Sequence, residues 1–571
     1  MRRFFTLVAA AATTFGAQPT RPPTTRPQPF TVVEATIRDM QRAMQDRRVT
    51  SRELVTQYLT RIAVYDKQIN AAIAVNPRAL RDADALDTER AQGKVRGPLH
   101  GIPIALKDNI HTTDEPTTGG ALAFASFTPP YEATLTKNLR DAGAIIIAKT
   151  VLTELANWVA GPPVLMPGTY SAVGSFGFNP YDPRPDPRDG VNDGRPVLST
   201  GGSSSGAGTA SSFWAANVGT DTAGSIVSPA ELTMLVGIRP TTGRISRHGI
   251  MPITRDQDTP GPMARTVADA AILLGALESA SPDRDDPATT RCTSPAGRDY
   301  TKFLKSNGLR GARIGIPRAF FYERIMPPTE KSPRGGLTDA QAKLMAFAID
   351  VLKREGAIVV DPADLPSVVD PEPGRNVLLF DICSGLDKEK GKDANCSIVL
   401  KYGMKRDFNA YLATLGPSAP VKSLTELRVF NLTHLRGNAI RYGQSNLDIS
   451  DEMDLRQDRS RYDADRAKDL KLAGERGLKA VIADKKLDAL MFPGWNISTF
   501  AARPGYPEVT VPLGLVPATL TGSRFPTGFD PKPVPYGAAF VGLPCSEPRL
   551  IEITYAFEQA TKRRVPPPAT P

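Results

Sequence analysis

The chain has 571 residues, 41% of them hydrophobic, enough to bury a large core. Its four cysteines, Cys292, Cys383, Cys396 and Cys545, form no C-x-x-C pair, which argues against a metal cluster or a disulfide-built scaffold. The net charge of +10 is spread among acids rather than gathered into a basic block, and no zinc ribbon or RNA-binding aromatic motif accompanies it, so the reading carries no nucleic-acid partner.

The first residues, "MRRFFTLVAAAATTFGAQ", place two arginines before an apolar run, Phe4 to Ala12, that is too short to span a bilayer. They read as an export signal over residues 1–17, and "QPTRPPTTRPQPF" (18–30) reads as a proline-rich tether outside the fold. In an exported chain Cys383 and Cys396 are either bridged or both free. From Thr31 the apolar spacing of "TVVEATIRDMQRAMQDRR" predicts a helix, and Thr50 with Glu53 forms a capping box that opens a second. "GIPIALKDNI" (101–110) reads as a buried strand, and "TLTKNLRDAGAIIIAKT" as a helix ending near Gly143 followed by an apolar strand. The helix-then-strand unit returns in "LTDAQAKLMAFAIDVLKREGAIVVDP" and "LKAVIADKKLDALMFP". This alternation predicts an α/β fold: one large domain, residues 31–567, with a central mixed β-sheet covered by helices on both faces. "NPYDPRPDPRDGVNDGRPV" (179–197) predicts a surface loop, either a substrate rim or a plain insertion, and the charged run 448–471 a solvated helix or pair of helices.

The stretch from Val197 to Ala230, "VLSTGGSSSGAGTASSFWAANVGTDTAGSIVSPA", concentrates serine and glycine and holds no histidine. A serine nucleophile needs a group that takes its proton. The four histidines, His100, His111, His248 and His434, stand in no recognisable triad context. "GSSSG" (202–206) matches the nucleophile-elbow pattern with Ser204 at its centre, but the apolar strand that should precede an elbow is missing.

"GIPIALKDNI", "GGSSSG", "GTDTAGSIVSPAELTMLVGIRPTTGRISRHGIMPITRDQDTPGPMARTVADAA", "GYPEVTVPLG" and "ITYAFEQATKRRVPP" together resemble the amidase signature family. The resemblance covers nearly everything after residue 31 and implies a Ser-cisSer-Lys site. By it, Ser225 looks like the nucleophile, Ser203, after a cis peptide, like the bridging serine, and Lys107 like the terminal base. It further implies an oxyanion hole from the backbone N–H groups of Thr222, Ala223, Gly224 and Ser225, with Ser204 and Asp221 in support. Such a device needs no imidazole, but the lysine must first lose its charge. An ordinary lysine is neutral in only about one molecule in 2,500 at pH 7. Lowering its pKa by about three units costs roughly 4 kcal/mol, which burial at the end of an apolar strand can supply.

The chain departs from the family pattern at three points. The two serines stand 22 positions apart, closer than the pattern. Val227 replaces an arginine common in members, and Ala223 a glycine. The loss of the arginine disfavours small acidic substrates and a glutamine-fed transfer role. The expected activity is therefore a metal-independent, cofactor-free hydrolase acting on a small-molecule or peptide amide, with anilides, esters and carbamates sharing the same intermediate. It would be exported, with no membrane span, and compatible with a homodimer. Three other readings remain open at this stage: the amidase subunit of a glutamine-dependent transamidation complex, a histidine-dependent α/β hydrolase using Ser204, and a binding protein that kept the fold without activity.

Overall fold

The computed structural model describes residues 29–202, 205–385, 395–518 and 523–571. The export signal, most of the tether, and Ser203 with Ser204 lie outside the described residues. The chain enters the fold through helices α1 (Ile37–Gln45) and α2 (Ser51–Ile69). Each opens on a complete capping box, Thr36 with Asp39 and Thr50 with Glu53. The helix expected before Gly143 is α3 (Thr134–Asp141), and Gly143, at φ +83°, turns the chain into the next strand.

Eleven strands form one sheet. The first six in chain order are β1 (Ala72–Val75), β2 (Pro103–Lys107), β3 (Ile145–Thr150), β4 (Ala216–Asp221), β5 (Val236–Arg239) and β6 (Thr259–Ala264). The remaining five are β7 (Arg313–Gly315), β8 (Ile358–Val360), β9 (Ala489–Pro493), β10 (Glu508–Val516) and β11 (Val534–Val541). Their spatial order is β1-β3-β2-β4-β6-β5-β10-β11-β9-β7-β8. β3, β2 and β4 run parallel at one end and β9, β7 and β8 at the other, with antiparallel pairings between. Successive strand residues point to opposite faces. Every residue of β2, β3, β4, β5, β6 and β9 is buried, so both faces of the sheet are covered. A short helix, α4 (Val227–Leu232), follows β4. The two later helix-then-strand units are α5 (Asp339–Arg354) into β8 and α6 (Lys479–Asp484) into β9, the latter helix continuing a π-helical stretch, Leu470–Leu478.

Segment 179–197 is a turn-rich loop with exposed residues, as expected, but it is pinned down: Asp182–Arg184, Asp186–Arg188 and Asp193–Arg195, each pair two residues apart, bind one another, and Asp182 and Asp186 are buried. The charged run 448–471 does supply helical segments, but it buries Asp451, Asp465 and Asp469 against Arg428, Arg461 and Arg503. Alternating acids and bases let these segments pack inward as ion pairs, which charge counting alone does not reveal. All four cysteines are bridged, Cys292 to Cys545 and Cys383 to Cys396.

Candidate active site

Lys107 is the last residue of β2, and β3 and β4 flank it on either side. It is fully buried. Its Nζ donates to Thr220 Oγ1 (2.8 Å) and to the Thr220 carbonyl (3.2 Å) at the end of β4. Asn109 Nδ2 donates to the same hydroxyl (3.1 Å) and to Met251 O (3.2 Å), which locks the acceptor in place. Burial pushes the lysine down from its ordinary value to about 7, against the pull of Asp221 and Asp258 in the other direction. The adjacent Asp108 pairs with Lys149 of β3 (3.2 Å). Of two buried lysines on neighbouring strands, one faces a carboxylate and the other a hydroxyl.

The turn between β4 and α4 is built around Asp221. Its buried carboxylate accepts the N–H groups of Gly224 (2.8 Å) and Ile226 (2.7 Å) and pairs with Arg239 of β5 (3.1 Å). Gly224, one of the four expected oxyanion donors, therefore has its amide turned into Asp221. Its contribution is conformational, because φ is +122° and a side chain is disfavoured there. Thr222 is tied the other way, its Oγ1 donating to Asp258 (2.5 Å), which also accepts the amides of Ile253 and Thr254. Burial holds the Asp258 carboxyl up at about 7. Ser225 sits half-buried at the apex of this turn.

The glycine pair docks against that apex. A Cβ on Gly202 would lie 2.8 Å from Ser225 Cα and 3.2 Å from its Oγ, and one on Gly201 would lie 2.4 Å from Pro229 N. Gly202 N donates to Ser228 Oγ (2.9 Å). Lys107, Asp221, Thr222, Ala223, Gly224 and Ser225 thus gather at the ends of two adjacent parallel strands, where α/β sheets place their chemistry. Each histidine has a partner of its own, although His248 lines the same small cavity as Thr220, Thr222 and Asp258. His100 bonds the Leu86 carbonyl, His111 the Tyr411 hydroxyl, His248 stacks on Tyr131 and His434 on Phe430. Burial pushes His111 down to about 3, so it stays neutral. Thr220, Asn109 and Asp258 were not singled out from sequence. All three lie inside the quoted motifs, but nothing in their spacing shows that they converge on the lysine and its turn. With Thr222 they border a cavity of about 30 Å³ behind Thr220.

A buried uncharged-capable lysine facing a glycine–serine turn, on a large mixed sheet, defines the class of amidase-signature hydrolases. The Amidase family model matches residues 53–370. Over 546 residues the chain is 34% identical to a probable amidase of Arabidopsis thaliana, covering 94% of this chain and 92% of that one. A glutamyl-tRNA(Gln) amidotransferase subunit of Chloroflexus aurantiacus is 38% identical over 57% of this chain and 60% of its own length. Among solved structures, native peptide amidase from Stenotrophomonas maltophilia matches with a TM-score of 0.75 and 35% identity, covering 94% of this chain and 98% of that one. The chain belongs to the amidase family. It is an amidase enzyme on the fold these relatives share.

Proposed function

We propose that the protein is an exported hydrolase that cleaves linear carbon–nitrogen amide bonds through an acyl-enzyme on Ser225. The observation that carries this reading is Lys107, fully buried, pushed down to about 7 and aimed at the end of β4, where the Asp221–Ser225 turn begins. The neutral amine of Lys107 accepts a proton from Ser203, which accepts one from Ser225, whose Oγ attacks the carbonyl carbon. The amides of Thr222, Ala223 and Ser225 stabilise the developing oxyanion, while Asp221 fixes the turn and Ser204 supports the relay. The C–N bond breaks as the proton returns through Ser203 to the leaving nitrogen. Water, deprotonated by the same relay, then attacks the acyl-enzyme and releases the acid.

The likeness to a peptide amidase over nearly the whole chain supports C-terminally amidated peptides as substrates beside small amides. Kinship with amidotransferase chains supports a glutamine-fed role as the second reading. Against it stand Val227, which removes a cation beside the nucleophile, and the pairing of all four cysteines, which suits an oxidising compartment. Fractionation of the source cells tests the location: recovery in the cytoplasm with partner subunits would favour the amidotransferase. The acyl-enzyme is tested by mass spectrometry after reaction with a serine-directed phosphonate. Label on Ser225, lost in Ser225→Ala and Lys107→Ala, is expected, and label on Ser204 would refute the assignment.

A further inference from the structure

Against the turn that carries Ser225 stands a residue that the reaction above does not use. Between β9 and the helix Ser498–Ala502, residues 494–497 bring Trp495 onto the oxyanion turn. A Cβ on Gly224 would lie 3.4 Å from Trp495 Cε3 and 3.3 Å from Ser498 Cβ. The tryptophan is nevertheless 39% exposed, so one part of its surface packs on the turn and another faces open space.

Its backbone is held on several sides. Glu231 of α4, the helix that follows Ser225, accepts the N–H groups of Trp495 and Gly537. Gly494 N donates to Gly537 O (3.0 Å), and at φ +59° its Cβ position is only 2.7 Å from Glu231 Oε1, so a side chain there would break the brace. Ser498 Oγ donates to Glu508 (3.0 Å). An exposed aromatic held this way is a preorganised apolar surface, which loses little entropy when a ligand packs on it. A second exposed apolar pair, Val164 and Leu165, belongs to a segment that also meets the glycine pair: a Cβ on Gly168 would lie 2.6 Å from Gly201 O.

The order of the sheet says which half of a substrate this surface meets. β2, with Lys107, borders β4 on one side, whereas β9, which leads into Trp495, lies beyond β6, β5, β10 and β11 on the other. The departing nitrogen takes its proton from the relay that ends at Lys107, so the leaving group lies on the β2 side. The acyl substituent is left facing Trp495. We infer that Trp495 is a specificity-determining wall of the acyl subsite and selects amides whose acyl group carries an aromatic or bulky apolar side chain. The inference rests on Ser225 as the nucleophile.

The test compares kcat/KM for N-acetylphenylalaninamide and N-acetylglycinamide, which release the same ammonia, in the wild type, Trp495→Ala and Trp495→Phe, with phosphonate labelling of Ser225 measured in each. The wild type should prefer the aromatic substrate by about tenfold or more, Trp495→Ala should reduce that ratio about tenfold, and Trp495→Phe should keep it within about threefold. An unchanged ratio in Trp495→Ala, or an equal loss on both substrates, with Ser225 still labelled, overturns the role of Trp495 and leaves the acyl-enzyme standing. A wild type that neither turns over nor labels at Ser225 overturns both.

Discussion

At Lys107 the same desolvation sets both a rate and a stability. The relay starts from the neutral amine, so kcat/KM should rise with pH through an apparent pKa near 7 and level off above it. A pH–rate profile without that acid limb would remove Lys107 from the role. The folded-state value lies below that of an exposed lysine, so between about 7 and 10.5 the unfolded chain binds more protons and stability rises with pH. Below about 7 the whole penalty, on the order of 4 kcal/mol, weighs on the fold. Lys107→Met should therefore raise the denaturation midpoint at pH 6 and lose that advantage as the pH approaches 10, while turnover disappears. Gly202→Ala tests the closeness of the glycine pair, because the new methyl would press on Ser225 Cα at 2.8 Å. It should lower kcat by at least about a hundredfold, since misplacement of about 1 Å costs that much. Lys107 and Ser225 could be singled out as candidates because their residue types sit in long, specific blocks. Thr220 and Asp258 were not, since an ordinary threonine and aspartate become special only through what the fold brings beside them.

The turn between β4 and α4 is one device with β5, because Asp221 holds two amides of the turn and the guanidinium of Arg239 at once. Asp221→Ala leaves a fully buried Arg239 without that partner and should destabilise the protein by about 3–5 kcal/mol in denaturant titrations. Asp221→Ala combined with Arg239→Met should recover part of this stability without recovering activity, because the turn amides remain unanchored. Helix starts and buried strands were readable at this scale, since capping boxes and apolar runs are local signals. The loop over 179–197 was readable from its proline, glycine and aspartate content, but that content says nothing of the three Asp–Arg pairs that let it pack. The bond from the Gly224 amide to Asp221 was hidden for a related reason: the family pattern supplies the backbone, but the partner of this amide depends on a carboxylate three residues earlier.

At the scale of the whole molecule, alternation of helices and strands indicated the α/β class, but the strand order could not be read, because pairing across hundreds of residues leaves no periodic trace. The Cys292–Cys545 bridge is another such contact, closing a loop of 253 residues against 13 for Cys383–Cys396. Chain-entropy arguments assign about 5 kcal/mol to the long loop and about 3 kcal/mol to the short one. Replacing Cys292 and Cys545 by alanine should thus lower the guanidinium midpoint more than replacing Cys383 and Cys396, and equal losses would show that the unfolded chain does not behave as a free loop. The sheet order has a consequence for the life of the molecule. Lys107 and Ser225 both come from the first two-fifths of the polypeptide, whereas Trp495 reaches their turn only once β9, from the last fifth, has joined the far side of the sheet. A chain that stops short of β9 therefore lacks the surface inferred to choose the acyl group, even though every residue of the proposed relay has already been made.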